Sequence, residues 1–372
     1  MSSTSAPLAA TALITTWIGF QVSIIKDTLA SPTMEGIELS GYEFLLAMLP
    51  YSFYPFLALA FVLMVVCSGR DFGPMLKAER AARLKEPEPE VPTATAQDKK
   101  EQDDLLVTHD VGEGYFWNAA IPIGVLIFAT IAGLFATGEG DTLSQIFGSA
   151  NAFKAMMWAS LLSLITAIIM TLATHAMSMS KTMAAVEEGL VPMMAAVIIL
   201  TFAWAIAEVN AQLHTADFVI SILGDGITPQ FLPAIVFVVA ALTAFATGAS
   251  WGTMAILVPL VLPLTWTTLQ GHDMATAEHL PILFAASASV LAGAVWGDHC
   301  SPISDTTILS SLASQCEHIA HVRTQMPYAL LVGAVSIVAS LLPVSYGLPW
   351  WLGLLLSAGL LWLVLKLVGK EA

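Results

Sequence analysis

The run Gly297-Asp298-His299-Cys300-Ser301-Pro302-Ile303-Ser304-Asp305-Thr306-Thr307 sets two carboxylates and four hydroxyls between stretches of apolar sequence. A carboxylate at membrane depth costs several kcal/mol unless it is paired, protonated or coordinating a cation. Hard monovalent cations want several oxygen ligands, and carboxylates, hydroxyls and freed backbone carbonyls supply them. A buried carboxylate holds either a proton or a cation. Competition between the two at one site yields exchange. Asp298 and Asp305 are the groups on which such chemistry would turn. The alternative reading of the same residues is a polar network that pins a helix break. His299 fits either a proton relay or a structural hydrogen bond, and Cys300 fits packing. A hydrolytic reading fails, because adjacent side chains on one turn point apart and triads are assembled from distant positions. The chain is not read as an enzyme, and no cofactor is expected beyond the transported ions.

A second polar run interrupts apolar sequence at Thr247-Gly248-Ala249-Ser250-Trp251-Gly252-Thr253. Thr247, Ser250 and Thr253 can bring hydroxyls against the same site, or the small residues can serve close helix packing. In Ala205-Ile206-Ala207-Glu208-Val209-Asn210, Asn210 is a candidate ligand and Glu208 reads as a solvated interfacial residue.

These residues need elements that hold them inside a bilayer. Of 372 residues, 57% are hydrophobic and 11% are charged, against roughly 25% charged in soluble domains. Apolar blocks of about 18 residues or more are long enough to span as helices, and strand alternation is absent. The expected class is an all-α polytopic membrane protein. Spans fall near 6–25, 43–66, 116–136, 153–174, 190–208, 231–266, 280–313, 325–345 and 349–367. The basic residues Arg70, Lys77, Arg80 and Arg83 mark the segment after the second span as cytoplasmic. Its continuation, Pro- and acid-rich around 85–104, reads as disordered. Walking the topology from both ends makes 231–266 start and finish outside, so it is expected to be a re-entrant hairpin with its tip at Thr247–Thr253. From Leu280 to Ser310, segment 280–313 would run about 46 Å as one helix, so a break is expected at Gly297–Pro302. Trp117, Trp350 and Trp351 read as headgroup-level anchors. The net charge of -15 comes with no basic arm and no nucleic-acid signature. Cys67, Cys300 and Cys316 lack metal-ligand spacing.

Residues 5–16 echo residues 300–311 without gaps, matching at the Pro, the following aliphatic, a Thr and a Ser/Thr pair. Two such segments in opposite orientation indicate an inverted-repeat secondary transporter. The first copy lacks counterparts of 231–266 and 280–297, so the first repeat is expected to be incomplete and the chain an N-terminally truncated form. The domain reading is 1–66 as the remnant of that repeat, 67–115 as a charged cytoplasmic linker, and 116–372 as the second repeat. A non-transporting membrane scaffold is the reading from another class.

The Gly297–Thr307 run resembles the signature of the NhaC-type sodium/proton antiporter family, part of the ion transporter superfamily. Gly248-Ala249-Ser250-Trp251-Gly252-Thr253, Ser3-Thr4-Ser5-Ala6-Pro7, Tyr51-Ser52-Phe53-Tyr54-Pro55 and Gly69-Arg70-Asp71-Phe72-Gly73 are also similar to it. The likeness implies a bacterial inner-membrane transporter with hairpins and broken helices. By that likeness Asp298, Ser301, Asp305 and Thr306 would be the cation and proton residues; Ser250, Thr247 and Asn210 join them as helpers on the reading of the residues themselves. Expected partners are a monovalent cation, sodium first, and membrane lipid, with a small organic acid or amino acid as the alternative cargo and a homodimer as an admissible assembly.

Overall fold

The chain places its most polar apolar-flanked run on its most buried helix. In this computed structural model residues 2–11, 16–84, 116–140, 146, 150–190, 201, 205, 209, 212–213, 228–314 and 316–371 are described. Among them, seven helices are long and apolar enough to cross a bilayer, and a bent pair supplies a further candidate. The protein is an all-α polytopic membrane protein.

The helices are α1 (Ser2–Thr11), α2 (Thr16–Leu29), α3 (Gly41–Met48), α4 (Phe53–Ser68), α5 (Gly73–Leu84), α6 (Trp117–Thr137), α7 (Ala152–Ala173), α8 (Leu232–Thr247), α9 (Ser250–Gly271), α10 (Leu280–Cys300), α11 (Asp305–Ala313), α12 (His318–Val335), α13 (Leu342–Ser345) and α14 (Trp350–Val368). A wider helical turn at Ser336–Leu341 joins α12 to α13. It lies just before Pro343, which cannot donate to the preceding turn. Two short strands, β1 (Arg70–Asp71) and β2 (Lys370–Glu371), pair antiparallel.

Burial sorts the helices. In α10, 78% of the apolar span is buried, against 11% in α7 and 17% in α6. The α6–α7 pair therefore turns its large side chains, such as Phe128, Leu161 and Ile165, outward. In a bilayer that surface meets acyl chains, which solvate it as well as a protein core would. The expected span 43–66 is two helices bent by 47°. Ser40 and Glu43 form a reciprocal cap at the start of α3, and Pro50 falls in the short turn before α4.

The segment expected as a hairpin turns back on itself. The side chain of Gln230, before α8, reaches the sulfur of Met274, after α9, while the tip falls at Gly248 with φ 66. That left-handed backbone costs glycine nothing. α8 lies parallel to α10. A Cβ on Gly293 would come within 2.5 Å of the Phe237 carbonyl oxygen, and one on Gly297 within 2.3 Å of the Ala241 oxygen. Only residues without a side chain permit backbones this close. The same register brings Gly248 against Ile303, so the hairpin tip meets the end of α10. Pro7 sits inside α1, whereas its echo Pro302 lies in a turn between helices. The basic half of the expected linker forms β1 and α5, while 85–115 lies outside the described residues.

Candidate functional site

Four helix ends converge beside residue 298. α8 ends at Thr247, α9 starts at Ser250, α10 ends at Cys300 and α11 starts at Asp305. Each terminus carries roughly half an elementary charge, positive at N-termini and negative at C-termini. Two of each sign largely cancel, so the ionisable side chain is what sets the local charge. Asp298 is buried, and its carboxylate accepts two hydroxyl hydrogen bonds. Ser304 Oγ donates to Oδ1 at 2.6 Å and Ser250 Oγ donates to Oδ2 at 3.1 Å. Ser304 Oγ is also 2.8 Å from Thr306 Oγ1. The result is a cluster of side-chain oxygens where the hairpin tip meets the break.

The break itself is well satisfied. The Ser301 amide donates to the carbonyls of Gly297 and Asp298. Thr307 Oγ1 donates to the carbonyls of Asp298 and His299, and Gln325 Nε2 donates to the His299 carbonyl. The imidazole of His318 bonds the Pro302 carbonyl at 2.6 Å and Ser311 Oγ at 3.1 Å. Burying a helix end requires partners of this kind, because unpaired carbonyls out of water are costly.

The expected site residues separate. Asp298 and Ser250 are brought together, and Thr306 reaches them through Ser304. Ser301 Oγ instead donates to the Phe245 carbonyl at 2.8 Å, tying the break to α8. Thr247 Oγ1 donates back to the Thr243 carbonyl on its own helix. Asp305 opens α11, but its side chain lies outside the described residues, as do Asn210 and Glu208. Thr253 bonds the Ala249 carbonyl and closes the hairpin tip.

Sequence reasoning passed over three contributors. Ser304 was one hydroxyl among four in the run, and only the turn at 301–304 aims it at Asp298. Tyr54 bonds His299 Nε2 and stacks on that ring at 5.8 Å between centroids, a pairing across 245 positions that no local pattern carries. Gln325 stands within apolar α12, where a buried amide was the available signal. His299 Nδ1 is buried and has no hydrogen-bond partner among the described residues. No group of three or more His, Cys, Asp or Glu suited to a resident metal is found among the described residues.

The sequence pattern described as the Na+/H+ antiporter family matches residues 9–342, which include every site residue above. An uncharacterised protein of Haemophilus influenzae is 30% identical over 344 residues, covering 90% of this chain and 61% of that one. A protein of the same organism described as an uncharacterised Na+/H+ antiporter is 34% identical over 31% of this chain and 23% of its own length. A malate-2H+/Na+-lactate antiporter of Bacillus subtilis is 32% identical over 27% of this chain and 19% of its own length. The chain thus spans about three fifths of the first relative and a smaller part of the other two. No solved structure matches it.

Proposed function

This chain belongs to the Na+/H+ antiporter family, and from that premise we propose that it exchanges a monovalent cation, Na+, for H+ at the Asp298 carboxylate. The observation that carries the reading is the oxygen cluster itself. A buried carboxylate holds two hydroxyl donors, at 2.6 and 3.1 Å, where four helix ends meet. A serine hydroxyl can turn its lone pair toward a cation when its proton is no longer needed on the carboxylate. Ser304 and Ser250 then become ligands, with Thr306 adjoining, and Asp298 supplies the negative charge. When a proton occupies Asp298 instead, the same hydroxyls remain satisfied. One carboxylate therefore holds one positive charge at a time, which couples the two ions.

Asp305 and Ser301, by likeness to the NhaC-type pattern, belong to the same reading, Ser301 as the residue that fixes α10 to α8. The hairpin of α8 and α9 is read as re-entrant, with its tip facing the cytoplasmic half of a bacterial inner membrane. The opposed echo at 5–16 is read as the other member of an inverted pair. Alternating access would move the hairpin tip relative to the break, since Ser250 and Ser304 stand on different elements.

A second reading adds an organic acid. The N-termini of α9 and α11 lie beside the oxygen cluster, a position that suits a carboxylate group, and the Bacillus subtilis relative is named for malate and lactate. Proteoliposomes separate the two. Under the first reading, an outward Na+ gradient drives proton uptake without added solute, and Asp298→Asn abolishes it. Under the second, Na+ movement begins only when malate or lactate is present. Undiminished exchange by Asp298→Asn would end both.

A further inference from the structure

A cavity lies against His299, lined by none of Asp298, Ser250 and Ser304. Its volume is about 470 Å³, and it runs the length of α4 from Tyr54 to Gly69, closed on the far side by α5 and α12. Tyr54, Ala58, Phe61, Val62 and Val65 line it at helical spacing, so one face of α4 forms a continuous wall. A bare ion has no use for a slot of this size and greasiness. Cavities of roughly 300–1,000 Å³ with apolar walls and a few placed polar groups hold organic molecules.

Of the charged residues that line the slot, Asp71, Glu79 and Arg83, the buried one is Asp71. It is 8% exposed, and the Tyr328 hydroxyl donates to its Oδ1 at 2.8 Å. That hydroxyl is held in turn by the Phe72 amide, which donates to it at 3.0 Å. No Lys or Arg lies within ion-pair reach of Asp71 among the described residues. Arg83 pairs with Glu79, and Arg70 donates to the carbonyls of Lys366 and Gly369. Lys370, across the strand ladder, is exposed. A cation beside a mostly buried carboxylate offsets part of the cost of holding its charge away from water. Phe72 and Tyr328 stack beside it with centroids 4.4 Å apart, and Phe61 leans on both. Aromatic faces attract ammonium groups more than they attract anions.

We propose that this slot is a second binding site, for a small amphipathic organic cation whose ammonium group meets Asp71 and Tyr328 and whose apolar body lies along Ala58, Phe61, Val62 and Val332. The site does not draw on the exchange reading, because its ligand is detected by binding alone.

The test compares three probes of one shape on the purified full chain in nanodiscs, by saturation-transfer NMR. Phenethylammonium binds saturably, while 2-phenylethanol and phenylacetate bind at least roughly tenfold more weakly. Asp71→Asn erases the preference for the amine, and Val62→Trp blocks all three probes by filling the slot. Equal binding of the three probes, a preference for phenylacetate, or an amine preference that survives Asp71→Asn overturns the proposal. The three-probe comparison on the unaltered chain decides the matter even if a variant fails to fold.

Discussion

Replacing Gly297 with Ala tests how the helix contact serves the site. The added Cβ would lie 2.3 Å from the Ala241 oxygen, 2.6 Å from the Phe245 nitrogen and 2.7 Å from the Ala244 Cβ. Ordinary contact begins near 3.4 Å, so the shortest of these must open by about 1 Å. Two of the three atoms are backbone, and the third is fixed directly to it, so no rotamer change relieves the clash. The helices must separate, at an overpacking cost of about 1–3 kcal/mol. Ser301 Oγ sits 2.8 Å from the Phe245 carbonyl, and a separation of about 1 Å breaks that bond, for about 1 kcal/mol more. The hairpin tip then carries Ser250 away from Asp298. A misplacement of this size at a reacting centre costs on the order of 100-fold in rate. Gly359→Ala on α14 is the matched control, since nothing lies within 4 Å of its added methyl. Thermal unfolding in detergent and sodium-driven proton flux should both fall for Gly297→Ala and hold for Gly359→Ala. Equal stability and flux for the two variants would refute the link between close packing and the site.

Tyr54→Phe keeps the ring stack but leaves buried His299 Nε2 with only the weak 4.0 Å contact to Cys300 Sγ, and is expected to destabilise the protein by about 1–3 kcal/mol in chemical or thermal unfolding. Glu317→Ala removes the side chain that accepts from the amides of Ile319 and Ala320, and unfolding should show a loss of about 1 kcal/mol with exchange retained. Ser340 and Ser357 meet at 2.7 Å between the Ser336–Leu341 turn and α14; alanine substitution singly and together should give a coupling energy of about 0.5–1.5 kcal/mol, whereas additive losses would show the contact to be idle.

The helical class was legible because hydrocarbon admits few alternatives, and blocks of apolar residues broken by Gly, Pro and acidic side chains are hard to misread. The break was legible from Pro302, which cannot continue a ladder, and the tip from Gly248, which adopts a backbone other residues resist. The direction of individual hydroxyls was not legible. Ser301 and Ser304 are alike in type and three positions apart, yet one bonds the Phe245 carbonyl and the other the Asp298 carboxylate, because the intervening turn rotates them. Thr247 is likewise one step short of the tip and satisfies its own helix. Tyr54 could not be placed on His299 without the bend between α3 and α4. Asp71 passed unremarked in a basic stretch, since its burial depends on Tyr328 far along the chain.

The most direct test of the central claim needs no membrane. Sodium chloride added to the purified chain in weakly buffered detergent should release protons that saturate with Na+ concentration, and the equivalent choline salt should release none. Asp298→Asn should release none with either salt. Sodium-independent pH in the unaltered chain, or undiminished release from Asp298→Asn, would contradict exchange at that carboxylate.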